Sequence, residues 1–120
     1  MQRAGYDSGM YPFDQGAVLL DVRTPEETDA GHVPGAVLIP IDQLASRTGE
    51  VRAAAGGLNR PVLIMCKRGR RAEQGVEILR RAGFQRPQNI GGTEVEPLRS
   101  LLGGLRRRER PSLRSWAPRH

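Results

Sequence analysis

A single cysteine, Cys66, serves the whole 120-residue chain, so no internal disulfide can form and no second thiol stands ready to resolve whatever Cys66 takes up. A chain with so little cysteine is expected in a reducing compartment, the cytoplasm by default. Aromatics are scarce, with one Trp, two Tyr and two Phe, so a core must be built from aliphatic side chains. Histidine is scarcer still. His32 and His120 with one cysteine give no zinc spacing, and no metal site is expected. No apolar run approaches the ~20 residues of a membrane span, and the first residues lack the apolar centre of a secretory signal. Neither a Walker loop nor a dinucleotide-binding glycine pattern is present, and no cofactor is expected.

Basic residues are plentiful, but they are unevenly placed. The net charge is +6, and residues 103–120, with six arginines against Glu109, account for +5 of it. The first 102 residues are close to neutral, with 13 bases and 12 acids. Only Lys67 is a lysine; every other base is arginine. This asymmetry describes a near-neutral domain with a basic tail, and pI by itself is no argument for nucleic-acid binding.

Short apolar runs alternate with helix-like segments. Ala17–Val22 and Ala36–Ile39 read as buried strands, as does Val62–Met65 leading into Cys66. Thr24 is placed to cap a helical turn that begins Pro25-Glu26-Glu27. Asp42–Ala55 predicts one or two short helices broken near Gly49. Ala72–Ala82 carries Val76 and Leu79 on one face and stops at Gly83, with Phe84 as the trailing apolar contact. Pro87 marks any strand before Gly91-Gly92 as short or at an edge, because proline cannot donate to a ladder. Strands alternating with helices predict an α/β fold, a small mainly parallel sheet flanked by helices. The expected organisation is a poorly specified lead-in over 1–16, one domain over 17–102, and a mobile Arg/Pro-rich tail over 103–120.

Cys66 ends the third apolar run, and Lys67, Arg68, Gly69, Arg70 and Arg71 follow at once. Ligands of parallel sheets gather at the carboxyl ends of the strands, which is where this cysteine falls. Neighbouring cations and a helix N-terminus favour the thiolate, the nucleophilic form of the side chain. The competing reading is a small buried hydrophobe, the usual fate of a free cysteine. Five residues of Lys-Arg-Gly-Arg-Arg directly after it argue against a purely structural role.

Three blocks in order resemble the rhodanese (sulfurtransferase) family over about residues 17–92: Leu20-Asp21-Val22-Arg23 with Glu27, Gly31-His32-Val33-Pro34-Gly35-Ala36, and Cys66 to Arg71 followed by a helix. Gly91-Gly92 matches the closing double glycine. Where the pattern usually has a large apolar residue and a tryptophan, this chain has Thr28 and Glu96. The resemblance implies a catalytic Cys66 that carries a sulfane sulfur from thiosulfate or a small persulfide to a thiophilic acceptor. It also implies loop residues Lys67 to Arg71 that receive a small anionic donor. The six-residue loop from Cys66 to Arg71 is the length of the sulfur-handling members. Phosphate- and arsenate-handling relatives need a Cys-x5-Arg pattern, and position 72 here is Ala72.

Asp21, Arg23, Glu27 and His32 are expected to hold the scaffold, with Arg23 and Glu27 as a partly buried ion pair. A non-catalytic interaction module of the same fold is the alternative, and an intact Cys66 loop speaks against it. A third reading has the basic tail contact RNA while sulfur is delivered in tRNA or cofactor thiolation. The tail's single aromatic, Trp116, and its lack of an RNA-binding motif support this only weakly.

Overall fold

A computed structural model of the chain describes residues 16–96 together with Leu98 and Arg99. The expectations for 1–15 and for the 103–120 tail lie outside the described residues. Eight elements follow in order: β1 (Val18–Asp21), α1 (Pro25–Ala30), β2 (Val37–Leu38), α2 (Ile41–Leu44), α3 (Thr48–Ala55), β3 (Val62–Cys66), α4 (Arg70–Arg81) and β4 (Pro87–Gly92). The strands form one four-stranded sheet in the order β2-β1-β3-β4, and every pairing is parallel. This is the α/β architecture expected from the alternating pattern.

β3 is one of the two inner strands, and all five of its residues are buried. Its alternation splits the core in two, because successive side chains point to opposite faces. Val62, Ile64 and Cys66 pack with Leu20, Val22, Leu44, Val51, Val76 and Leu79 on the side covered by α2, α3 and α4. Leu63 and Met65 pack with Leu19, Val33, Ile90 and Leu98 on the other. The carboxyl end of β3 is therefore held on both faces by aliphatic side chains, which a chain poor in aromatics requires.

The local signals for helix ends are realised in detail. Thr24 accepts from the Glu27 amide at 3.2 Å while the Glu27 carboxylate accepts from the Thr24 amide at 2.8 Å, a reciprocal capping box. α4 ends on Gly83 (φ +98°). The Phe84 amide bonds the Leu79 carbonyl and the Gly83 amide bonds the Arg80 carbonyl, each at 3.0 Å, with Phe84 and Leu79 both buried.

Three expectations need correction. The helical segment before β3 is two helices, but the break lies at 45–47, and Gly49 sits inside α3. The second strand shrinks to two residues at the sheet edge, where it pairs only with β1. β4, by contrast, lies at the other edge, one of the two places that Pro87 leaves open to it. Pro87 is its first residue, and the Val62 amide donates to the Arg86 carbonyl just before it, so the missing proline N–H costs no ladder bond. Finally, α4 begins at Arg70, two residues before the expected start, so Arg70 and Arg71 belong to the first turn of a helix.

Candidate active site

Cys66 is the last residue of β3, and the loop from Lys67 to Gly69 turns the chain directly into α4. Gly69 makes the turn with φ +91°, a conformation costly for any residue with a Cβ. Gly69 is also the N-cap of α4 and has no side chain with which to cap it. Cys66 takes over that role. Its Sγ accepts from the Gly69 amide at 2.9 Å and from the Ala72 amide at 3.4 Å. Two N–H groups at the positive end of a 12-residue helix thus converge on one sulfur. Cys66 itself is only 1% exposed and belongs to the apolar cluster beneath the helices. The two readings of the sequence therefore coexist, since the cysteine is buried and its sulfur faces a nest of donors.

The floor of the loop is the double glycine that ends β4. A Cβ on Gly92 would collide with the backbone carbonyls of Cys66 and Lys67, and one on Gly91 would collide with the Glu96 carbonyl. Bare backbone at both positions lets the chain after β4 return against the loop. There the Thr93 amide bonds the Cys66 carbonyl at 3.1 Å and the Glu94 amide bonds the Lys67 carbonyl at 3.0 Å.

Asn89, which the sequence reading did not single out, ties β4 to the loop. Its Nδ2 donates to the Gly69 carbonyl at 2.9 Å and to Glu73 Oε1 at 3.1 Å, while its Oδ1 accepts from the Gly91 amide at 2.8 Å. No local pattern announces such a residue, because two of its three partners lie on α4 and on the turn before it.

The four loop cations are placed differently from one another. Lys67 and Arg68 both reach Glu94, at 3.6 Å and 3.1 Å. Arg68 donating to the Glu94 carboxylate, with the charge of Lys67 beside it, holds that carboxyl below its ordinary value. Arg71 forks onto Glu27 with bonds of 2.7 Å and 3.2 Å. That contact dominates the environment of Glu27 and, against the opposing effect of partial burial, brings its pKa down to about 2. Arg70 is exposed at the start of α4 and makes no ion pair among the described residues. Arg68, Gly69 and Arg70 line an open depression of about 390 Å³ together with Glu73, Asn89, Gly91, Val95 and Glu96.

The expected Arg23–Glu27 pair does not form. Arg23 lies two residues after Asp21, and side chains two apart at a strand end point the same way. Its guanidinium grips the Asp21 carboxylate at 2.7–3.1 Å and also donates to the Gly31 carbonyl at 2.9 Å. Both partners are buried, at 0% and 7% exposure, well away from water. Glu27 is left to meet Arg71. His32 Nδ1 sits 3.0 Å from the Thr28 carbonyl, the turn role expected of it. Thr28 itself is buried, and its hydroxyl donates back to carbonyls of its own helix. Among the described residues no cluster of His, Cys, Asp and Glu could hold a metal ion, and no helix is long and apolar enough to cross a membrane.

A cysteine at the carboxyl end of an inner strand, a short turn from it into a helix, and a double glycine beneath are the layout that the sequence blocks implied. The rhodanese-like domain family matches this chain over residues 11–94. The chain belongs to the rhodanese-like domain family. Thiosulfate sulfurtransferase PspE of Escherichia coli is 36% identical over 73 residues, which is 61% of this chain and 67% of that protein. Thiosulfate:glutathione sulfurtransferase of Homo sapiens is 32% identical, covering 67% of this chain and 77% of the relative. Against two proteins of Bacillus subtilis, 32% and 34% identical, the chain spans only 39% and 61% of their length. Among solved structures, a rhodanese with anions from E. coli superposes with a TM-score of 0.58 at 32% identity, over 68% of this chain and 94% of that one. The general class these likenesses support is the sulfurtransferases.

Proposed function

We propose that this rhodanese-like domain is a sulfurtransferase that moves a sulfane sulfur from thiosulfate or a small persulfide to a thiophilic acceptor through a persulfide on Cys66. The observation that carries the reading is the pair of amides from Gly69 and Ala72 directed at Cys66 Sγ. Such donors favour negative charge on sulfur both before and after transfer, when the charge sits one atom further out.

In the first half-reaction the Cys66 thiolate attacks the outer sulfur of thiosulfate. A new S–S bond forms, the donor's S–S bond breaks, and sulfite leaves with the electron pair. In the second, an acceptor nucleophile attacks the outer sulfur of the Cys66 persulfide and the thiolate is regenerated. Cyanide would take the sulfur as thiocyanate, and a thiol would take it as a persulfide. No general base is required if the nucleophile enters as the anion. Gly69 and Ala72 hold the sulfur, Arg70 stands at the rim to attract an anion, and Lys67, Arg68 and Arg71 act through their carboxylate partners.

Loop geometry supports sulfur over phosphorus chemistry. With Arg71 turned onto Glu27 and Ala72 standing where the Cys-x5-Arg pattern needs arginine, the loop lacks the guanidinium of the phosphate-handling pattern. Intact-mass spectrometry after thiosulfate treatment tests the reading. A gain of one sulfur that disappears on reduction or on addition of cyanide is expected, and Cys66→Ser should show neither the gain nor any turnover. Substantial sulfur transfer by the pure variant would remove Cys66 as carrier.

A further inference from the structure

The sequence presents four cations in a row around one glycine. Folding cancels most of that charge. Lys67 and Arg68 converge on Glu94, Arg71 is held by Glu27, and the depression beside the loop is lined by Glu73 and Glu96 as well as by Arg68 and Arg70. Arg99 stands against Glu96 at 3.4 Å. Five cations, Lys67, Arg68, Arg70, Arg71 and Arg99, thus face four carboxylates, Glu27, Glu73, Glu94 and Glu96.

Glu94 is the carboxylate that two of these cations, Lys67 and Arg68, share. It is not a free surface side chain that happens to fall near two bases. Its own amide is bonded to the Lys67 carbonyl, and the neighbouring Thr93 amide to the Cys66 carbonyl, so the backbone carries it with the loop. A tethered carboxylate competes with a dissolved anion at a high effective concentration. Any dianionic donor that seeks Lys67 and Arg68 must displace it.

From this we infer that Glu94 is a specificity-determining residue. It disfavours small dianions such as thiosulfate and favours persulfides of lower charge, for example cysteine persulfide, which need not displace a carboxylate from Lys67 and Arg68. The inference rests on the sulfurtransferase reading and names its donor class. In the step concerned, the Cys66 thiolate attacks the outer sulfur of R–S–SH. The Cys66 S–S bond forms, the donor S–S bond breaks, RS⁻ leaves with the electron pair, and the proton stays on the transferred sulfur, so no oxidant or reductant is consumed.

The chain's single thiol allows a test that needs no turnover. Cys66 in the wild type and in Glu94→Gln is alkylated with iodoacetate, an anion, and with iodoacetamide, its neutral counterpart, at low ionic strength. The ratio of the two rates is the readout. Loss of one exposed carboxylate beside two cations should raise the iodoacetate-to-iodoacetamide ratio by about five-fold, the scale of an exposed ion pair, and added salt should shrink the gain. Sulfur loading from thiosulfate should rise by a similar factor, and loading from cysteine persulfide should change by less than about two-fold. An unchanged ratio would overturn the inference, as would equal acceleration of both reagents, which would mean only a loosened loop. Failure of both donors to add a sulfur to Cys66 would instead overturn the sulfurtransferase reading, while the alkylation ratio still decides the role of Glu94.

Discussion

Glu27 and Arg71, 44 positions apart in sequence, meet through two parallel hydrogen bonds of 2.7 Å and 3.2 Å, and they join the first turn of α1 to the first turn of α4. The same Glu27 carboxylate closes the capping box of α1. One acidic side chain therefore fixes a helix start beside β1 and the helix start that points at Cys66.

Replacing Glu27 with Gln should cost about 1 kcal/mol near neutral pH, because the pair is only about a quarter exposed and its geometry is forked. The Glu27 pKa is about 2 in the folded chain against an ordinary 4.5. A depressed value means the stabilisation is complete above 4.5 and is lost as the pH falls toward 2. Thermal melts of wild type and Glu27→Gln should accordingly differ most at neutral pH and converge toward pH 2. A constant difference across that window would show that the carboxylate's charge is not what stabilises the contact.

Asp21→Ala should destabilise far more, by about 3–5 kcal/mol, because it breaks a buried ion pair by removing the carboxylate that the guanidinium of Arg23 grips. Replacing both residues together with apolar side chains of similar volume should recover much of the loss. Denaturant unfolding of the single and double variants measures the difference. A single variant as stable as wild type would show that Arg23 escapes to water.

Gly92→Ala should unseat the loop, since its methyl would meet the carbonyls of Cys66 and Lys67. Gly49→Ala is the control. It lies in α3 with open space around it, and a gain of about 0.5 kcal/mol from helix propensity is expected there. Opposite signs in the two melts are expected. A Gly92 variant that keeps full stability and full sulfur loading would mean the turn has room that the close contacts deny.

Asn89→Ala removes the two bonds that tie β4 to Gly69 and Glu73, together with the one that Gly91 makes within the strand. As a positioning residue it should lower kcat by about ten-fold with KM little changed, since small misplacement of an attacking group is costly. Asn89→Asp should be no better, because it keeps the acceptor for Gly91 but loses both donors and repels Glu73. A loss confined to KM, or to thermal stability alone, would assign Asn89 another role.

Much of this arrangement was legible in the sequence because it is written locally. Runs such as Val62–Met65 are buried by length and branching, Thr24 with Glu27 is a cap three residues long, and Gly83-Phe84 ends a helix within one turn. Cys66 was placed at a strand's end by the abrupt change from apolar to basic neighbours. What was not legible depends on partners distant in the chain. The match of Arg71 to Glu27, the convergence of Lys67 and Arg68 on Glu94, and the bridging by Asn89 span 44, 27 and 26, and 20 positions between residue numbers. The sequence shows which cations the loop carries but not which carboxylates meet them, because charge is cancelled in three dimensions and not along the chain. Even the start of α4 moved, since a helix capped by a sulfur from the preceding strand can begin before any apolar period shows.

That sulfur cap has a consequence for timing. Residues that finish a helix keep the same covalent form for the life of a protein, but in the proposed cycle the capping atom of α4 acquires and surrenders a neighbour at every turnover. The amides of Gly69 and Ala72 are then bound to a cargo-bearing atom, and their exchange with solvent deuterium becomes a record of whether the carrier is full or empty. A helix that ordinarily serves as scaffold would keep count of the sulfur passing its end.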